Sequence, residues 1–266
     1  MPWGLLNLFP QLPVFAVVLF RVSGLVMTAP VYGSRLIPVR IRAALAVAAA
    51  AMIAPLVRTA APAELSLSSV LAAGVSEIAV GAMIGLTLAI FMTGAEVAGT
   101  VAGQQAGLAL SQVVDPTLGE QTSVLGQVYT VTLTLIFLVA GGHRAAMAAL
   151  LDSYRVIPLF SFQWEDSAVM LLVRALTAAF ILGVRLAGPV LIALFLTGTA
   201  MAFLSRTMPQ LNILTVGFTV RTMVVLAVAG LALNGAQETL VRAVWDVFAL
   251  IDGAIGTDAA RFLVVD

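Results

Sequence analysis

Six apolar runs punctuate the chain, at residues 13–29, 41–57, 70–96, 129–140, 168–204 and 218–233. A helix that crosses a bilayer needs about 20 predominantly apolar residues. Several of these runs are shorter than that and others are much longer. The pattern predicts an all-α protein with six to seven hydrophobic helices that fit poorly into a simple bundle of perpendicular spans. The intervening stretches, the longest at about 99–127 and 141–167, are too short to hold a soluble domain. A further stretch, 237–255, is amphipathic: Val241, Val244, Phe248, Ile251 and Ile255 share one helical face, and Glu238, Arg242 and Asp246 share another. It predicts an interfacial helix or a docking surface.

Composition places the chain in a membrane or in a very apolar assembly. Of its 266 residues, 61% are hydrophobic and 10% charged, against about a quarter charged in a soluble domain; the mean hydropathy is +1.10. A formal net charge of +0 gives no footing for nucleic acid, and the absence of cysteine excludes disulfides and thiolate metal sites. All 13 basic residues are arginine, which fits GC-rich codon usage and also pH-insensitive bidentate contacts at interfaces. No basic residue precedes the first apolar run, so residues 13–29 read as part of the mature protein, not as a signal peptide. Arg35, Arg40 and Arg42 favour a cytoplasmic first loop. In later loops Arg144 and Arg155 are offset by Asp152, Glu165 and Asp166, and no clean alternation of sides emerges.

Charges and glycines inside the apolar runs carry the candidate chemistry. Gly81 and Gly85 form one GxxxG, and Gly99, Gly103 and Gly107 form two more. On one continuous helix Gly81, Gly85, Gly99 and Gly103 fall within about 40° of one another. Such a stripe permits close helix approach, within the chain or against another subunit. A helix from Gly74 to Gly107 would be about 50 Å long, beyond a hydrocarbon core of about 30 Å, so it breaks near Gly94 or does not sit squarely across a bilayer. Glu77 and Glu96 lie in this run, and Arg174 and Arg185 lie in the fifth run about 20° apart on one face. Intramembrane charges need partners, and ion pairing between these two segments is the expectation. A proton relay is the competing idea, though arginine cannot serve in one. His143 is the only histidine, which makes a metal site improbable and favours a helix-start or loop role. No phosphate-binding loop, nucleophile elbow or HExxH motif is present, so neither an enzyme nor a cofactor is expected.

Two polar stretches interrupt the apolar pattern. Residues 107–127 mix small apolar residues with Ser111, Gln112, Asp115, Glu120, Gln121 and Gln127, and Asp115-Pro116 marks a turn. The stretch is too apolar for a flexible surface loop and too polar for a span. Such backbone is tolerated at membrane depth only when buried in protein or lining a wet cavity, so it reads as a re-entrant plug or constriction, or as a connector on the membrane surface. Ser205-Arg206-Thr207-Met208-Pro209-Gln210-Leu211-Asn212 sets an arginine, a glutamine and an asparagine around a proline between two apolar runs. These groups are expensive there unless paired or wetted, so the stretch lines a passage or holds a partner.

Taken in order, these residues carry a resemblance over nearly the whole chain. Phe20-Arg21-Val22-Ser23-Gly24 is followed by Ala29-Pro30 and Ile37-Pro38, then the Glu77 segment with Gly81 and Gly85, and Gly107 through Asp115-Pro116. Gly142-His143, Ser153-Tyr154, Pro158 and the Ser205–Asn212 stretch complete the set. The chain resembles the FliR/SctT family, core subunits of the type III protein export gate, and its Met-Pro-Gln-Leu-Asn and Val-Asp-Pro-Thr stretches look more flagellar than injectisome-like. The resemblance implies a single export-gate domain over residues 1–266, built from helical hairpins as a FliP-like and a FliQ-like unit joined in one chain. It implies co-assembly with FliP and FliQ into a pore for unfolded export substrates, FlhB and FlhA as cytosolic-side neighbours, contact with membrane lipid, and a place in the bacterial inner membrane at the flagellar basal body, with much of the assembly held above the bilayer plane. It also places a plug at about 107–121, with Leu110, Ser111, Gln112, Val113, Val114, Asp115 and Pro116 as gate residues. Arg206, Pro209, Gln210 and Asn212 become interface residues, beside Gly81, Gly85, Gly99 and Gly103 as helix or subunit contacts. A small-molecule secondary transporter, the equivalent injectisome subunit and a purely structural membrane subunit are the alternatives; no inverted repeat supports the transporter.

Overall fold

Long runs of Ala, Leu, Val and Ile with few internal breakers favour helix, and helix is what the computed structural model contains. It describes residues 12–34, 36–57, 67–108, 123–160, 166–208 and 213–256. Eight helices follow one another among the described residues: α1 (Leu12–Thr28), α2 (Val39–Ile53), α3 (Leu67–Ala106), α4 (Val124–Val139), α5 (Gly142–Val156), α6 (Asp166–Thr207), α7 (Ile213–Gly235) and α8 (Gln237–Ile255). No strand occurs among them.

Three helices are long and apolar enough to cross a membrane, at Ala73–Ala106, Val169–Thr207 and Thr215–Gly235, or four if α4 and α5 count as one broken span. α6 has 42 residues, roughly twice what a bilayer requires. It carries Pro189 in its interior without interruption. α3 likewise runs unbroken through Gly94 for 40 residues; of the two alternatives for this run, the break near Gly94 does not occur. Its end is set by Gly107, at φ 85. The amide of Gly107 donates to the Gln104 carbonyl at 3.0 Å and that of Leu108 to the Gly103 carbonyl at 3.0 Å. This is the Schellman arrangement, in which a left-handed residue, most cheaply glycine, satisfies the last carbonyls.

The stretch 141–167, expected as a connector, contains α5. It escaped as a helix because its buried face is small, not greasy: Ala145, Ala146, Ala148, Ala149 and Ser153 are buried beside Leu150. The amphipathic C-terminal stretch is helical as expected, but its apolar face is not free for a membrane surface or a partner. Val244, Phe248 and Ile251 are completely buried and Ile255 nearly so, while Glu238, Arg242 and Asp246 point outward.

The chain divides into two compact units. The first comprises Met1–Ile90, Leu138–Leu176 and Val244–Asp266, and the second Phe91–Phe137 and Thr177–Ala243. In the first, Val17, Val18, Val22, Leu25, Ile84, Leu88, Leu150 and Leu171 form the core. In the second, Phe91, Leu133, Phe137, Leu182, Val190 and Val225 do so.

Candidate functional site

Inside the first unit the lone charge of α1 meets the first acid of α3. Arg21 and Glu77 are both 0% exposed, and Arg21 Nε donates to Glu77 Oε2 at 2.5 Å. A buried ion pair survives only when its remaining donors and acceptors are also satisfied, and the segment around the end of α5 supplies the partners. Arg21 Nη1 donates to Ser153 Oγ at 3.1 Å, and Ser153 Oγ donates onward to the Leu150 carbonyl at 2.6 Å. Arg21 Nη2 donates to the Ile157 carbonyl at 3.0 Å. The Phe160 amide donates to Glu77 Oε1 at 3.3 Å. The guanidinium carbon lies 4.3 Å from the centroid of the Tyr154 ring, a cation–π contact, and the Tyr154 hydroxyl donates to the Val18 carbonyl at 3.3 Å.

The turn after α5 thus reads both charges, offering a carbonyl to the cation and an amide to the anion. Phe160 has φ 69, the only positive φ at a non-glycine residue among the described residues. A bulky side chain in that region is strained, and here the conformation aims its amide at Glu77. Nearby, the Tyr32 hydroxyl donates at 2.9 Å to the carbonyl of His143, in the first turn of α5, and burial pushes the Tyr32 phenol up from its ordinary range. His143 therefore stands at a helix start, and no cluster of metal-binding side chains occurs among the described residues.

The expected ion pairing between the α3 acids and the α6 arginines is corrected by this geometry. Glu77 pairs with Arg21, while Arg174 and Arg185 lie exposed on α6. Glu96 is half-buried and takes part in none of the ion pairs among the described residues. Because Arg174 and Arg185 sit in open surroundings, changing either to Gln should alter the stability of the isolated chain by no more than about 0.5 kcal/mol. Thermal unfolding in detergent checks this; a loss of folded protein would reveal a buried role.

The glycine stripe of α3 serves two neighbours. A Cβ on Gly81 would strike the Arg21 carbonyl, and one on Gly85 the Thr28 hydroxyl. Gly24 of α1 answers them: a Cβ there would strike the Ile78 carbonyl. The α1–α3 contact that brings Arg21 to Glu77 therefore rests on backbone-to-backbone approach. Further along, a Cβ on Gly99 would lie 2.5 Å from the Gly126 Cα, and one on Gly103 would meet the Ser123 hydroxyl of the α4 start. Gly81→Ala should cost about 1–3 kcal/mol. Gly230→Ala, where nothing lies within 4 Å, should stabilise by roughly 0.5–1 kcal/mol. Comparing their unfolding midpoints in detergent tests the contact, and equal midpoints would refute it.

Residues 110–116, named as a gate, lie outside the described residues, as do Pro209, Gln210 and Asn212. Arg206 is exposed in the last turn of α6. Arg21, Ser153, Tyr154 and Pro158 carry the family resemblance but no role predictable from the chain alone, and Arg221, the one charge of α7, has no such role either. The available signal was that Arg21 and Arg221 are each the sole charge of an apolar helix.

The chain as a whole is similar to known proteins. The family model described as bacterial export proteins, family 1, matches residues 12–246. The flagellar biosynthetic protein FliR of Caulobacter vibrioides is 33% identical over 85% of this chain and 90% of its own length. FliR of Escherichia coli is 30% identical over 75% of this chain and 76% of its own. Yop proteins translocation protein T of Yersinia pestis is 31% identical over 56% and 58%.

Proposed function

The chain belongs to the bacterial export proteins, family 1, and we propose that it is a core subunit of the flagellar type III export gate in the inner membrane. In this reading it co-assembles with FliP and FliQ into the pore that passes unfolded flagellar proteins, with FlhB and FlhA on the cytosolic side and residues 107–121 plugging the closed pore. The observation that carries the plug is the way its two ends are held. α3 stops at Gly107 in a C-cap, α4 begins at Val124, Gly99 and Gly126 bring those helices to backbone contact, and Gly103 packs on the Ser123 side chain. These stems fix where the segment begins and ends. Co-assembly is supported by α6 and α7, whose most apolar stretches are only 39% and 17% buried within the chain. Phe180, Phe195 and Phe203 are each at least two-thirds exposed, an apolar surface that another subunit would cover.

The transporter reading loses part of its support, because the Glu77 carboxylate is held in an ion pair. The flagellar reading is preferred to the injectisome one because the flagellar relatives align over more of the chain. Native mass spectrometry of the tagged protein, extracted from its host's membranes in mild detergent, tests the assembly. One copy retained with several copies of two small helical partners is expected. A reproducible lone monomer or homodimer would refute the proposal.

A further inference from the structure

Two interruptions of the backbone ladder face one cavity in the second unit. α6 runs on through Pro189, but proline has no amide to donate, so the Arg185 carbonyl loses the rung it would accept in an ordinary helix. Between α7 and α8 only Ala236 intervenes. The Ala236 amide donates to the Ala232 carbonyl at 2.9 Å, and the Leu240 amide to the Ala236 carbonyl at 2.8 Å. Among the described residues no backbone bond runs from Gln237, Glu238 or Thr239 to the carbonyls of Leu233, Asn234 or Gly235. Three successive rungs are therefore missing at the joint. Arg185 and Pro189 on one side, and Ala232, Gly235, Ala236 and Thr239 on the other, line a cavity of about 450 Å³.

Packing changes abruptly at this level. Just before it, α6 is clamped to α3: a Cβ on Gly94 would strike the Ala179 carbonyl, and one on Gly183 would come within 3.1 Å of the Gly94 carbonyl. A Cβ on Gly188, next to Pro189, or on Gly235 would meet nothing within 4 Å. A helix resists bending through its ladder of hydrogen bonds, and sharp bends fall where rungs are lost. Here both arms of the α6–α7 hairpin lack rungs beside the same unfilled space. The arms can bend there without breaking a hydrogen bond and without driving a side chain out of a packed site, the two costs that keep other parts of a helix straight.

We propose that α6 and the α7–α8 arm form a hinged hairpin that bends at Pro189 and Ala236, with the cavity open in this structure and closed in the bent form. The bend redirects α7 against the start of α8. It is a property of this chain's own backbone, so it stands or falls separately from the export reading. The chain has no cysteine, so pairs of spin labels can be introduced without background. Labels at Val216 and Arg242, both exposed, straddle the joint, and labels at Val216 and Leu231, also exposed, lie on α7 alone. Full-length protein, with whatever partners it retains, is placed in lipid nanodiscs and read by double electron–electron resonance. The straddling pair should give a distance distribution about twice as wide as the α7 pair, or two resolved distances, as a hinge that absorbs backbone rotation requires. Pro189→Ala, which restores the α6 rung, or Ala232→Phe, which fills the cavity, should narrow it towards the width of the α7 pair. Pro189 lies on the other arm, so narrowing by its substitution cannot come from local motion of the labels. Narrowing in either variant bears the hinge out. A straddling pair as narrow as the α7 pair overturns it, and so does a wide distribution that neither variant changes. Should one variant fail to fold, the wild-type pair and the other variant still decide.

Discussion

Arg21→Met and Glu77→Leu, made singly, are expected to destabilise the chain by about 3–5 kcal/mol each, while the double variant recovers a substantial part of the loss. Either single change leaves an uncompensated charge in a completely buried place, which is the costly event; replacing both charges by apolar side chains removes that cost. Recovery should be incomplete, because Ser153 Oγ, the Ile157 carbonyl and the Phe160 amide lose their partners as well. Against a total stability of about 5–15 kcal/mol, each single variant should accumulate poorly in the membrane, and the double variant visibly better. Thermal unfolding in detergent gives the energies, and swimming of a complemented deletion strain gives the function. Glu77→Gln separates a structural clamp from a proton relay. The clamp predicts loss of folded, assembled protein together with loss of swimming. A normally assembled Glu77→Gln gate that no longer couples export to the proton gradient would sink the clamp and restore the relay.

The helices themselves were legible in the chain because apolar runs this long have few other solutions. α1, α3, α6 and α7 fall on the runs at 13–29, 70–96, 168–204 and 218–233. α5 was not, since burial by alanine and serine leaves a weak hydropathy signal although Ala145, Ala149 and Ser153 repeat at helical spacing. The face of the glycine stripe followed from helical period alone; the identity of its neighbours did not, because period fixes a direction on a helix and not what stands opposite. The same limit explains the pairing. Glu77 was recognised as a charge needing a partner, and Arg174 and Arg185 were the arginines of a long apolar helix. Nothing local told that Arg21, 56 residues away, would be the one brought to it by Gly24 and Gly81. Nor could the sequence disclose that the amphipathic face of α8 is covered by the chain itself, since amphipathicity records a demand for burial without naming what meets it.

Deleting residues 110–114 is expected to leave the export gate assembled and make it leak. The energetic argument rests on the stems. The C-cap at Gly107 and the contacts of Gly99 and Gly103 with the start of α4 lie outside the deletion. Shortening the connection between two fixed ends changes its closure free energy by well under 1 kcal/mol, about that of a partial halving of loop length. The functional argument rests on what closes a narrow apolar constriction: packed side chains keep it dry, and a dry constriction blocks ions far more effectively than its diameter alone would. If residues 107–121 form the proposed plug, removing Leu110, Ser111, Gln112, Val113 and Val114 takes away that closure, and ions and small dyes should cross membranes carrying the assembled variant at rates well above the wild-type background. Asp115 and Pro116 remain, so a leak would assign closure to the apolar half of the segment. The control is retention of partner subunits by native mass spectrometry, since an unassembled variant would be tight for a trivial reason. An assembled deletion variant as tight as wild type would remove residues 110–114 from the closure and count heavily against the plug.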